Sequence, residues 1–428
     1  MKTFWYYVYN LIVFPFLLTI ACTVSFFNTK LREGFRDRTR LFEKLDTSLQ
    51  LLIKDHPRIW FHVSSLGEFE QAKPIIQNLK SKDPDTVIIV SFFSPSGYRH
   101  SVNYKYADVI TYMPYDSRRL AKKFIQRIKP DAAVFIRYDI WPNHIWVLTE
   151  NNIPFFLSSA TLREKSFRLL PGFRAFHKQL FELFTAVLTV TDYDARQFKR
   201  FGLQQPVLEA VGDTRYDQVL QRSRAAKDIE LLPTGFTRRK KVFVVGSSWN
   251  SDEEVLIPAL KNLYRKEKNL LTILAPHEPT QQNLERIERQ LEPEITHIRF
   301  SHINNYSDER LIIVDSIGIL ITLYKYAHVA YVGGAFKSGV HNVLEAAVYG
   351  IPVIYGPKHT NSQEATELAK RNGGFIVTDA QSLDAILQRL FSDSQFRKLS
   401  GGICKQLVKE NAGATERIVK YLRKSVKR

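Results

Sequence analysis

Glu68 stands three residues after Ser65 and directly after Gly67 in the run His62–Ile75, HVSSLGEFEQAKPI, which follows the apolar stretch RIWF. This pattern predicts a strand that stops at Ser64 and Ser65, and a helix that begins at once with a carboxylate in its first turn. A first-turn acid is ordinary, because the helix macrodipole favours it. An acid at the carboxyl end of a parallel strand is less ordinary, because open α/β sheets bind their ligands there. A carboxylate so placed can take the proton from an attacking hydroxyl. Glu70 lies two positions on and points elsewhere on the helix.

A second informative run is AYVGGAFKSGVHNVLEAAVYGIPVIYGP, residues 330–357. Gly333 and Gly334 are expected to end a strand, and Lys337, Ser338 and Gly339 to form a short loop. His341 or Asn342 then opens a helix carrying Glu345. Glycines let a ligand approach the backbone, and free N–H groups at a helix start bind phosphate. Glu345, one turn in, suits the hydroxyls of a ribose, and Lys337 suits a phosphate or carboxylate. The plain alternative is a strand–turn–helix crossover with Glu345 in solvent.

No G-x-x-x-x-G-K-[ST] occurs and no G-x-G-x-x-G follows the first strand, so neither a P-loop nor a dinucleotide cofactor is expected. The eleven histidines form no zinc-ligand spacing. DPD at Asp83 and DYD at Asp192 imitate a metal-binding D-x-D, but the first falls in a turn and the second at a helix start. No metal and no cofactor are expected.

These residues need elements to hold them. RIWFHVSS, TVIIVSFF, AAVFIRYD, IPFFLSSA and AVLTVTD read as strands, separated by helical patterns such as EFEQAKPIIQNLKS and SRRLAKKFIQRIKP. After a polar stretch the alternation resumes with VFVVGSS, LLTILAP, LIIVDS, HVAYVGG and IPVIYG. Regular alternation means a parallel sheet covered on both faces. The chain is therefore expected to be α/β, with two tandem Rossmann-like domains facing a central cleft. The expected boundaries are an anchor at 1–29, a first domain at 30–217, a linker at 218–240, a second domain at 241–411 and a basic helix at 412–428.

The formal charge of +18 favours an anionic partner. The basic residues are spread out with no nucleic-acid module, so nucleic acid is not expected. Cys22 and Cys404 are too few for a disulfide framework, and a reducing compartment fits. From Phe4 to Phe27 no charge occurs, about 36 Å of helix at roughly 1.5 Å per residue, enough to cross a bilayer. A signal peptide would have a shorter apolar region and a small-residue cleavage site. Lys2 precedes the stretch and Lys30, Arg32, Arg36, Arg38 and Arg40 follow it, so the positive-inside bias puts the body of the chain on the cytoplasmic side. Asn10 and Pro15 leave half-insertion open.

Taken in order, the anchor, HVSSLGEFEQ, IRYDIWPN, GDTRYDQV, GSSWNSDEE, LAPHEP and VGGAFKSGVHNVLEAAVYGIPVIYGP resemble the 3-deoxy-D-manno-octulosonic acid (Kdo) transferases, glycosyltransferases of the GT-B type. The resemblance runs from the anchor to about Glu364. It implies metal-independent, inverting transfer of Kdo from CMP-Kdo to a lipid A precursor at the membrane, with Glu68 as general base. It implies donor contacts at His277, at Gly333, Gly334, Lys337, Gly339, His341, Asn342 and Glu345, and at Asn361 and Glu364. Ser65, Gly67, Arg137 and Asp139 fall on the acceptor side. Two departures stand out. Arg137, Tyr138 and Asp139 replace an expected acid–Thr–Glu, and Ala275, Pro276 and His277 replace Pro–Arg–His. Asp139 is expected to replace the second acid as a structural or acceptor-orienting carboxylate, and Arg137 to meet an acceptor phosphate. The rival readings are a UDP-sugar transferase with a lipid-linked acceptor, and a non-catalytic lipid- or nucleotide-binding relative.

Overall fold

A computed structural model describes residues 2–52 and 56–426. The chain divides into two compact units, one from Met1–Gln218 with Ala412–Arg428, the other from Val219–Asn411.

In the first unit the β-branched and aromatic runs form a seven-stranded parallel sheet among the described residues. Its strands are β1 (Arg58–Val63), β2 (Val87–Phe92), β3 (Val109–Tyr112), β4 (Ala132–Ile136), β5 (Phe155–Ala160), β6 (Ala186–Thr189) and β7 (Val207–Ala210). Their order is β3-β2-β1-β4-β5-β6-β7, which reverses direction between β1 and β4. The loops after these two strands carry HVSSLGE and IRYDIWPN, so the chemistry-bearing residues flank the topological switch point. Both sheet faces are buried, as continuous apolar strands require.

The basic helix Ala414–Val426 returns to this unit. Ile418, Val419 and Leu422 join the core that holds Phe69, Ile75 and Leu79 of the helix Leu66–Lys82. Asp217 accepts the backbone N–H groups of Gly413 and Thr415 at 2.6 and 2.7 Å. The helix Thr214–Ala226 runs through the start of the expected linker, because Val219 and Ala226 are buried apolar residues within that polar stretch.

The second unit repeats the plan. Its strands are β8 (Lys241–Ser248), β9 (Leu270–Pro276), β10 (His297–Arg299), β11 (Leu311–Ile313), β12 (Val329–Val332), β13 (Val353–Tyr355) and β14 (Gly374–Ile376). The order is β10-β11-β9-β8-β12-β13-β14, with the reversal between β8 and β12. Trp249 follows β8 and Gly333 follows β12.

One helix among the described residues, Phe4–Ser25, is long and apolar enough to cross a membrane. Its first half is docked on the first unit. Trp5 meets Phe176 at 5.5 Å between ring centroids, and Tyr6 and Tyr9 meet Trp146 at 5.2 and 5.7 Å. The Tyr9 hydroxyl donates to Asp116 at 2.8 Å, and the Asn143 amide donates to Asn10 at 3.0 Å. The second half leaves Phe16, Leu17, Phe26 and Phe27 exposed. Of the arginines that follow, Arg38 is not a surface charge: its guanidinium lies over the rings of Phe93, Tyr112 and Tyr115 and donates to the carbonyls of Met113 and Phe93.

Candidate functional site

Two clusters form, one at each switch point. In the first unit Ser65 is the N-cap of the helix Leu66–Lys82, and its hydroxyl donates to the Glu68 carboxylate instead of capping a backbone N–H. Glu68 is only 7 % exposed, and no other described side chain bonds it. Glu70 is tied off by Lys73 and by the Gln218 amide. One carboxylate of the pair is thus committed to the fold and the other sits in the turn. Gly67 has open space: an added Cβ would come no nearer than 3.7 Å to the Ser65 hydroxyl.

Asp139 lies in the loop after β4, and it is joined to the β1 loop by a relay that the sequence did not reveal. Trp60 Nε1 donates to the Ser91 hydroxyl at 2.8 Å, and Ser91 lies 2.9 Å from His62 Nδ1. His62 Nε2 lies 2.8 Å from Asp139, and Trp141 Nε1 donates to the same carboxylate oxygen at 3.0 Å. With the Ser91 proton directed to Nδ1, His62 carries a hydrogen on Nε2 and donates it to Asp139. Burial pushes the Asp139 carboxyl up, but the His62, Ser64 and Trp141 hydrogen bonds together hold it below the usual carboxylate range. Asp139 is therefore an anion fixed beside the Ser64 turn.

A depressed native value means that Asp139 adds stability above its unfolded value of about 4, and that this is lost as pH falls through the lower native value. Acid unfolding of the Asp139→Asn variant is expected to be less steep below about pH 4 than that of the native chain. An unchanged slope would contradict this assignment.

Arg137 adopts left-handed backbone angles (φ 69°), and its N–H donates to the Ser158 carbonyl at 2.8 Å. Its half-buried guanidinium leaves Nε without a hydrogen-bond partner among the described residues. Non-glycine residues in this region store strain that concentrates at functional sites.

In the second unit, Trp249, His277 and His341 form an aromatic stack. Ring centroids are 4.5 Å apart between Trp249 and His277 and 4.4 Å between His277 and His341. Trp249 Nε1 donates to His341 Nε2 at 2.9 Å, and the Lys337 ammonium lies 4.0 Å from the Trp249 ring centroid. Burial, with His277 adding to it, holds His341 below the usual histidine range, so it stays neutral. Lys337, His277 and Asn342 are exposed.

Several expected donor residues turn out to brace this loop. An added Cβ at Gly333 would strike the Ser247 carbonyl, and one at Gly334 (φ +95°) would strike the Gly339 carbonyl and His341. At Gly339 (φ +141°) it would lie 2.6 Å from the Asn361 side chain. On their Cβ side these glycines admit neighbouring protein. Asn361 clamps Val340, accepting from its N–H at 3.1 Å and donating to its carbonyl at 3.0 Å. The helix expected at His341 or Asn342 begins later and is short, Leu344–Ala347, with the Asn342 side chain accepting from Leu344 N–H. Glu345 accepts from Arg222 at 2.8 Å, and Glu364 is buried and accepts from Ser362 at 2.6 Å. Asp252 is a buried hub for Tyr331, Gly334 and Trp249, which holds the loop against β8.

Gly333→Ala should therefore cost about 1–3 kcal/mol by overpacking, whereas Gly67→Ala should change stability by less than about 1 kcal/mol. Thermal melts of the two variants check this. Equal melting temperatures would refute the packing contrast.

Residues 33–218 match the family model described as 3-deoxy-D-manno-octulosonic-acid transferase (kdotransferase). The chain is 24 % identical over 436 residues to the 3-deoxy-D-manno-octulosonic acid transferase of Haemophilus influenzae, covering 99 % of each. It is 27 % identical to the protein of that name from Aquifex aeolicus, covering 78 % of this chain and 86 % of the relative. Among solved structures, UDP-GlcNAc 2-epimerase of Neisseria meningitidis bound to UDP-GlcNAc superposes with a TM-score of 0.59 at 13 % identity, covering 86 % of this chain and 100 % of the other. That likeness concerns the fold.

Proposed function

We infer that this chain is a member of the Kdo transferase family and transfers Kdo from CMP-Kdo to a lipid A precursor in lipopolysaccharide biosynthesis, a reading supported by the family-model match and the relatives of that name. The observation that carries the assignment of roles is the Ser65–Glu68 turn at the switch point of the first unit. Ser65 fixes the rotamer of Glu68, and Glu70 is occupied elsewhere. Glu68 then takes the proton of the acceptor hydroxyl as that oxygen attacks the anomeric carbon of Kdo. The bond to the phosphate oxygen breaks, and CMP leaves with inversion. Transfer by this route needs no metal. Asp139, held by His62 and Trp141, orients the acceptor, and Arg137, in the same loop, pairs with an acceptor phosphate. In the second unit Lys337 and the Trp249–His277–His341 stack take the CMP-Kdo, with Lys337 opposite its phosphate or carboxylate. Gly333, Gly334, Gly339 and Asn361 shape that loop around the donor.

The test is competition at the donor site: CMP should inhibit transfer at concentrations where UDP does not. Stronger inhibition by UDP would favour a UDP-sugar donor.

The enzyme works on the cytoplasmic face of the inner membrane, with the N-terminal helix dipping into the bilayer and not crossing it. The docked half cannot sit in lipid, and the remaining segment from Phe14 to Phe27 is about 21 Å long at roughly 1.5 Å per residue, short of a core of about 30 Å. A tag added at the N-terminus should be cleaved by protease from the same side as the body of the chain. Cleavage only from the opposite side would show a full span.

A further inference from the structure

A cavity of about 520 Å³ lies in the first unit between the N-terminal helix and the segment Phe167–His177, and Asp139 and Trp141 also line it. Its size suits a small-molecule site, roughly 300–1,000 Å³. Its walls are the wrong chemistry for a sugar or nucleotide: Trp5, Val8 and Val13 on one side, Phe167, Phe173 and Phe176 on the other. We propose that this groove holds one acyl chain of the lipid acceptor, and so sets the acceptor's reach to Glu68. The proposal rests on the transferase reading above and adds a subsite to it.

Three observations select that occupant. The helix that makes one wall continues into exposed Phe16, Leu17 and Phe26, and the opposite segment exposes Phe167, Leu170 and Phe173, so the groove lies along a lipid-facing surface. Asp139 in its lining joins the groove to the acceptor side, since that carboxylate is anchored to His62 of β1. Cations follow the opposite wall: Arg163, Lys165, Arg168, Arg174 and Lys178 fall within 16 residues that hold one acid, Glu164. Arg168 lies over the Tyr138 and Phe167 rings at the mouth. A phosphorylated, acylated saccharide supplies both halves of that match: an apolar chain for the groove, and anionic groups for the arginines.

The test uses the full-length protein and a tetra-acylated glucosamine disaccharide bisphosphate carrying a diazirine on one acyl chain. Photolysis should label peptides from residues 140–142 and 167–177, and unlabelled acceptor should abolish the labelling. Labelling confined to the outward residues Leu11, Ile12 and Phe16, or equal protection by an ordinary diacyl phospholipid, would overturn the proposal. Val8→Trp, which fills the groove, should weaken saturable labelling and raise KM for the acylated acceptor by about tenfold, with kcat little changed. Ile12→Trp, on the exposed face, should leave both unchanged. Melting curves establish that the variants fold, and the labelling of the native chain stands apart from them. If Kdo transfer fails while groove labelling persists, the subsite stands and the donor assignment falls. If transfer proceeds with equal KM for Val8→Trp and the native chain, the subsite falls alone.

Discussion

Glu68→Gln is expected to lower kcat for transfer from CMP-Kdo by about 10²–10⁴, the range for losing a positioned general base, with the fold and donor affinity nearly unchanged. The amide keeps the shape and still accepts from the Ser65 hydroxyl, so the loss falls on proton transfer and not on packing. Glu70→Gln is the matched control. Its partners are Lys73 and Gln218, so its removal should weaken a helix-surface pairing and leave turnover within a factor of a few. Single-turnover rates with saturating donor and acceptor separate the two cases. A Glu68→Gln enzyme at near-native rate would remove Glu68 from the chemistry.

The largest expected stability effect is at Asp116, a residue with no part in the reaction. Its carboxylate is fully buried and accepts from the Tyr9 hydroxyl, the Asn143 and His144 backbone N–H groups, and His144 Nδ1 at 2.7 Å. Asp116→Ala leaves these donors unsatisfied, and breaking such a buried cluster costs about 3–5 kcal/mol. For a unit of this size that lowers the melting temperature on the order of 10 °C. The loss should also free the N-terminal helix, because Tyr9 is a principal tether, and proteolysis near residue 28 should quicken. An unchanged melt would mean that the helix is held by its aromatic contacts alone.

How far the sequence carries this picture follows from where each signal lies. The strands with long apolar runs, such as TVIIVSFF at β2 and VFVVGSS at β8, are plain in it. The four strands it does not show are short. β7 alternates exposed and half-buried residues and β10 is half-buried throughout, as sheet edges are, so neither needs an apolar run. Glu68 is legible because strand, serines and helix start are contiguous. The His62 relay is not, since His62 meets Ser91 and Asp139 across 29 and 77 residues, through strands that become neighbours only in the sheet. The only local hint was a histidine inside an apolar strand. In the donor loop the need for glycine is legible and the packing behind it is not: the Cβ positions of Gly333, Gly334 and Gly339 are taken up by Ser247, Gly339 and Asn361. Spacing along the chain tells that a loop needs glycine, and it does not tell what occupies the space. Trp249, which organises the stack, lay in a quoted motif without a role, because stacking needs β8, β9 and β12 side by side.

The central claim is that this chain moves Kdo from CMP-Kdo onto a phosphorylated glycolipid by way of Glu68. Mass analysis of the lipid formed by purified full-length protein, incubated with CMP-Kdo and tetra-acylated lipid A precursor, tests it most directly. The account predicts a product heavier by one or more whole Kdo units, absent when Glu68→Gln replaces the native enzyme over the same interval. An unmodified lipid with native enzyme, or the same product at the same rate from the variant, would contradict it.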